Sequence, residues 1–253
     1  MTIKRQERIS TGSYDLNKWL FGGYETDIIT MIAGPAASGK TNFVVLASVS
    51  QAKKGNKVIY IDTEGGFSID RVRQLLTTNN EDEKILENIL LLKPTNFEEQ
   101  KRDFSKLLNL IKKEHVNLII VDGMTMLYRL ELGEAIMNNE DKELKDENIK
   151  KVNREIANQM KMLAEISRKQ NIPVLITNQV YSEFLSEEDL KKGKEKQVHL
   201  VGGDLLKYWS KCIIELKLDR GRRKAVLLKH RSLPIKEIQF EIVNSGIRKK
   251  GWI

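Results

Sequence analysis

Apolar residues in this chain are grouped in two ways. Short runs rich in β-branched residues occupy 28–33, 57–62, 89–92, 118–122 and 173–177, and these read as buried strands. Between them lie stretches with helical spacing. One follows Asn42 with no breaker before Gly55. Others cover 67–76, 97–115 with Phe104, Leu107, Leu108 and Ile111 on one face, and 147–169 with Ile156, Met160 and Leu163 as the stripe. Continuously apolar strands between helices predict an α/β fold, with a mostly parallel twisted sheet flanked by helices.

The end of the chain follows another rule. Residues 212–218, 225–229 and 237–243 are strand-like, and Asp219-Arg220-Gly221-Arg222 joins the first two as a tight turn. C-terminal antiparallel strands are therefore expected to extend the parallel core. No repeat, low-complexity segment or linker interrupts residues 1–253, so a single domain is the simplest organisation. Residues 140–151 and 181–201 resist assignment. Both are polar, and long segments of this kind in compact domains are usually functional or mobile.

Composition narrows the class. Of 253 residues 40% are hydrophobic and 31% charged, a soluble globular balance, and no apolar run reaches the length of a membrane span. The first residues lack a signal-peptide core, and a single cysteine, Cys212, suits a reducing, cytoplasmic setting. His115, His199 and His230 are far apart and read as ordinary residues rather than metal ligands. Net charge is +8, yet 205–253 alone carries 13 Lys+Arg against 4 Asp+Glu. The excess lies in the last fifth of the chain and suggests a polyanion partner, nucleic acid first.

Candidate chemistry begins at Gly34-Pro35-Ala36-Ala37-Ser38-Gly39-Lys40-Thr41, a G-x-x-x-x-G-K-[ST] phosphate loop between an expected strand and an expected helix. The glycines let main-chain N–H groups converge on one anion. Lys40 supplies a point charge to the terminal phosphates, Thr41 a hydroxyl for Mg²⁺, and the helix its dipole. Asp122 closes the strand 118–122 and fits the second metal-holding acid. Glu64, beyond the end of strand 57–62, is placed to orient a water. Thr177-Asn178-Gln179 ends another strand, where an amide could sense the terminal phosphate.

The order of these segments resembles the RecA-type recombinase core. Ile9-Ser10-Thr11-Gly12-Ser13, Leu20-Phe21-Gly22-Gly23-Tyr24-Glu25-Thr26, Thr125-Met126-Leu127-Tyr128-Arg129, Gly202-Gly203-Asp204 and Ser232-Leu233-Pro234 resemble its archaeal and eukaryotic branch. The likeness covers about residues 9–247. It implies a RecA-like P-loop NTPase core with ATP and Mg²⁺ as cofactors. It implies that Lys40 is catalytic along with Glu64 and Gln179, that Arg71 stacks on adenine, and that Pro234 closes over a neighbour's base. The stretch after Tyr128 and residues 181–201 correspond to two DNA-binding loops.

The chain also resembles a shortened archaeal paralogue of the main recombinase, without an N-terminal helical DNA-binding domain or a Phe-x-x-Ala polymerisation motif. Where filament-forming members carry Asp-Ser-Pro, it has Lys229-His230-Arg231, which could act in trans on phosphates or bind DNA. Arg222, Arg223 and Lys224 are further DNA candidates. The second loop is net −1, poor for a phosphate backbone. The resemblance implies an ATP-dependent DNA-binding accessory protein of recombination and repair, with feeble ATP hydrolysis. Implied partners are DNA, the main recombinase of RadA type, a junction resolvase and a second copy of the chain. The alternatives are a strand-exchange recombinase and a nucleotide-gated adaptor without useful hydrolysis.

Overall fold

A computed structural model of the chain describes residues 7–76, 82–137, 142–182 and 198–251. In chain order the first half contains β1 (Arg8–Ile9), α1 (Tyr14–Trp19), β2 (Tyr24–Glu25), β3 (Ile29–Gly34), α2 (Lys40–Ala52), β4 (Lys57–Asp62), α3 (Ile69–Leu76), α4 (Asp82–Leu86), β5 (Ile89–Leu92) and α5 (Phe97–Glu114). The second contains β6 (Val116–Asp122), α6 (Met126–Met137), α7 (Lys142–Gln170), β7 (Val174–Ser182), β8 (Val198–Leu200), α8 (Gly203–Trp209), β9 (Ser210–Asp219), β10 (Arg222–Lys229), β11 (Lys236–Val243) and β12 (Gly246–Lys249).

The main sheet runs β12-β11-β10-β9-β3-β7-β6-β4-β5, with β8 pairing on β7. Along this order the neighbours from β9 to β5 are parallel and those from β9 to β12 antiparallel, while β8 adds to β7 antiparallel. Strand β9 therefore belongs to both halves, the junction expected from the change of pattern. Alternation within each core strand sorts its side chains into two clusters. Leu118 and Ile120 join α2 and α3 on one face, while Ile119 and Val121 join α5, α6 and α7 on the other. Each such fully buried side chain contributes about 1.5–3 kcal/mol.

Helix α2 is buried on nearly every side, because it lies between the parallel core and the antiparallel wing. Phe43 on α2 meets Phe240 on β11 edge-on at 5.1 Å, which ties the wing to that helix.

Several boundaries differ from expectation. Helix α3 starts at Ile69 rather than 67, because the Gly66 and Phe67 N–H groups donate to the Asp62 carboxylate and so are held out of the helix. Helix α5 stops at Glu114, with His115 left-handed at φ 46°. Leu108 does not share the buried face of Phe104 and Leu107 but is 48% exposed. Helix α7 begins at Lys142 and absorbs most of the charged stretch left unassigned, supported there by a Lys151–Glu147 pair at 3.0 Å. The segment after Tyr128 is helical to Met137 rather than a loop from its start. Helix α8 and strand β12 were not foreseen. Of the second loop, 183–197 lies outside the described residues.

Candidate nucleotide site

The strand ends position the site. Gly34 pairs with Gln179 across β3 and β7, and Asp62 pairs with Asp122 across β4 and β6, so four carboxyl-terminal ends share one edge of the sheet. Open α/β sheets bind ligands at this edge. Between β3 and α2 the chain turns through Ala37 at φ 59° and Gly39 at φ 107°. Left-handed residues alternating with ordinary ones aim successive N–H groups into one concavity. A Cβ on Gly34 would fall 2.8 Å from the Leu216 carbonyl oxygen, and one on Gly39 would fall 2.8 Å from Ile242 Cδ1. Close approach of the β9 backbone demands glycine at 34, and the left-handed φ demands it at 39.

The loop's polar groups fit an anion. Lys40 Nζ donates to the Gly34 and Pro35 carbonyls at 3.0 and 2.9 Å, curled over the loop. Burial pushes its ammonium down in pKa, and Glu64 and Asp122 pull it back. Ser38 Oγ is buried with no hydrogen-bond partner, and α2 has no side-chain cap at its N-terminus. These are the unmet donors that a phosphate group would satisfy. The loop lines a cavity of about 250 Å³ with Glu64, Gln179, Arg223 and Ile242. Larger grooves, of about 580 and 590 Å³, lie away from the strand ends along α5–α7 and along α1–α2 and carry no comparable convergence.

Asp122 is the electrostatic centre. It is 2% exposed and accepts from Tyr60 Oη at 2.7 Å and from Thr177 Oγ1 at 2.6 Å. Burial raises its pKa, and the hydroxyls of Thr177, Tyr60 and Thr41 oppose the rise. Thr177 in turn accepts from the Gly123 N–H at 2.7 Å. One carboxylate beside one hydroxyl suits Mg²⁺, which needs few protein ligands when phosphates and waters complete its shell. No group of three or more metal-ligating residues occurs among the described residues.

Glu64 and Gln179, read from separate segments, meet: Gln179 Nε2 donates to Glu64 Oε1 at 3.1 Å. A Cβ on Gly123 would fall 2.7 Å from Glu64 Cγ, so that glycine makes room for the acid. Sequence reasoning missed Gly123, the Tyr60 hydroxyl and the Thr177 hydroxyl. No sequence signal marked them, because Tyr60 pairs with Ile120 and reaches Asp122 only diagonally across β4 and β6, and Thr177 follows the last paired residue of β7 against β6, a register known only from the assembled sheet.

The other candidates are engaged differently. Arg71 Nε donates to Asn42 Oδ1 at 2.9 Å and Nη2 to the Val243 carbonyl at 2.9 Å, bracing α3 between α2 and β11 beside the cavity. Lys229 Nζ donates to the Lys207 carbonyl at 2.7 Å, in the last turn of α8. His230 turns inward, where its Nδ1 accepts from the Ser232 and Leu233 N–H groups. Arg231 pairs with Glu25 and Asp27. These three residues do not form one exposed cationic patch. Nor do Arg222, Arg223 and Lys224: the pleat sends Arg223 to the buried face shared by Ala225 and Leu227, and its two neighbours to the other. Lys224 is paired with Glu237 at 3.0 Å.

The Rad51 family profile matches residues 4–250. The chain belongs to the Rad51 family. Among similar proteins is the DNA repair and recombination protein RadB of Methanosphaera stadtmanae, 36% identical over 249 residues, 97% of each chain. The protein of the same name from Methanocaldococcus jannaschii is 39% identical over 232 residues, 92% of this chain and 98% of the relative. That of Methanococcoides burtonii is 38% identical over 252 residues, 98% and 99%. The RecA-type likeness read from the motifs thus extends over nearly the whole chain.

Proposed function

We infer that the chain binds ATP with Mg²⁺ at Gly34–Thr41 and works in DNA recombination and repair as a nucleotide-dependent, DNA-binding accessory to the main recombinase. The observation that carries this reading is the convergence of Lys40, Thr41, Asp122, Glu64 and Gln179 on one edge of the sheet. Repair and recombination come from the names of the relatives. In the nucleotide-bound state Lys40 leaves the loop carbonyls for the phosphates. Thr41 and Asp122 would hold Mg²⁺, which would supply positive charge to the phosphates. Glu64, steadied by Gln179, orients the attacking water and accepts its proton. DNA is held by the basic end of the chain.

An accessory rather than a filament-forming enzyme is favoured by two features. The second loop is net −1, and Arg231 is committed to partners within its own chain. Main recombinase, resolvase and a second copy stay the candidate protein partners.

The test is binding of a fluorescent ATP analogue with and without Mg²⁺. Lys40→Ala is expected to abolish it, and wild-type affinity in that variant would sink the reading. Adding DNA tests the second half, because an effect of nucleotide on DNA affinity must be matched by an equal effect of DNA on nucleotide affinity.

A further inference from the structure

Arg223 was grouped with its neighbours as a surface cation, but the fold gives it a different address. On β10 it lies opposite Leu218 of β9 and Phe240 of β11. The pleat turns it to the side of Ala225 and Leu227, which are buried against α2. It is the last inward-facing position before the 219–222 turn. At that level the wing touches the phosphate loop, since the space above Gly39 is bounded by Ile242 and Phe240. Arg223 therefore lines the same cavity as Lys40, Thr41, Glu64 and Gln179.

Its chemistry there is incomplete. Nε is buried and has no hydrogen-bond partner, and no carboxylate of the described residues lies within ion-pairing distance of the guanidinium. A buried guanidinium nitrogen without an acceptor is costly, so the site calls for one. The cavity wall carries two cations, Lys40 and Arg223, against one acid, Glu64. The missing acceptor is thus anionic, and a planar fork suits a phosphate better than any single oxygen.

We propose that Arg223 binds a phosphate of the nucleotide held by its own chain, making the antiparallel wing part of the nucleotide site. This rests on the reading that the loop 34–41 binds ATP. It moves Arg223 out of the set of DNA contacts and leaves Arg222 in that set.

The experiment uses the full chain with mant-ATP, mant-ADP and mant-adenosine, and separately a DNA salt titration without nucleotide. Arg223→Gln is expected to weaken mant-ATP and mant-ADP by about ten- to a hundredfold, the range for a charge-assisted hydrogen bond. Mant-adenosine binding and the DNA salt slope are expected to stay at wild-type values. Arg223→Lys keeps the charge without the fork and is expected to fall between the two, which preserves the test if the glutamine variant folds poorly. Wild-type mant-ATP affinity in both variants overturns the proposal. So does an equal loss for mant-adenosine, or a DNA salt slope lowered by about one with nucleotide affinity intact. If the wild type itself binds no mant-ATP, the underlying reading fails too. If it binds, and only Lys40→Ala loses binding, this inference alone falls.

Discussion

Two carboxylates are equally hidden in this molecule, and they are held in opposite ways. Asp122 and Glu25 are each 2% exposed. Asp122 is held by neutral hydroxyls, from Tyr60 and Thr177. Glu25 is held by guanidinium groups, Arg8 at 3.0 Å and Arg231 at 2.7 Å, with the His230 ring 3.9 Å away. Asp27 takes the other edge of Arg231. Cations quench the charge of Glu25, and the result is a clasp between the two-stranded β1–β2 sheet and the chain after β10. Hydroxyls orient Asp122 without cancelling it, so its charge stays available to an incoming metal ion. The kind of donor, not the depth of burial, separates a working acid from a fastening one.

The sharpest way to break this contrast is Asp122→Asn. Metal-assisted charge stabilisation is worth several kcal/mol, so Mg²⁺-dependent nucleotide affinity is expected to drop by about a hundredfold or more. The fold is expected to gain rather than lose. Burial raises the Asp122 pKa above 3.8, so the native state binds the proton more readily than the unfolded chain. Stability from this group is then present at low pH and is lost as pH rises through the folded pKa. The asparagine variant should melt at or above wild type near neutral pH, and the difference should shrink below the ordinary carboxylate range. A lower melting temperature near neutrality would contradict the assignment.

Glu25→Gln should do the reverse. Breaking a buried pair is expected to cost about 2–3 kcal/mol, at the low end because Arg231 is 36% exposed. The readout is the denaturant midpoint, and nucleotide affinity should stay within about twofold of wild type. A large loss of affinity would erase the distinction between the two acids.

Thr177→Val sharpens the Asp122 side. Removing one hydrogen bond is expected to cost about 1 kcal/mol, read as about fivefold weaker Mg²⁺-dependent binding. The smallest effect concerns pH. Burial, then Arg8, Arg231 and Lys236, lower the His230 pKa against the pull of Glu25. A histidine kept neutral stabilises above its unfolded pKa of about 6.5, and that stability is lost as pH falls through the lower folded value. His230→Gln should flatten the acid limb of a melting-temperature profile, and an unchanged limb would remove His230 from the clasp.

Much of this was legible beforehand. Lys57–Asp62 and Ile89–Leu92 were bounded correctly because buried parallel strands leave unmixed apolar runs. The phosphate loop and Asp122 were legible because anion binding needs fixed spacing. What escaped detection depends on partners distant in sequence. Leu108 has the right spacing for the buried face of α5, yet about half of it stays exposed. Arg231 looked free until the fold brought Glu25 and Asp27, more than 200 residues earlier, against it. The triplet Arg222, Arg223, Lys224 reads as one basic patch on paper, because a charge count ignores the alternation of a strand.

That alternation makes the length of one short turn consequential. Adding a single amino acid between Asp219 and Arg222 would slip β10 by one step against β9 and exchange every inward with every outward side chain. Arg222 or Lys224 would then face the loop, and Arg223 the solvent. Two adjoining codons thus have separate fates, and drift in that turn is restrained by a requirement for parity rather than by the chemistry of the residues in it.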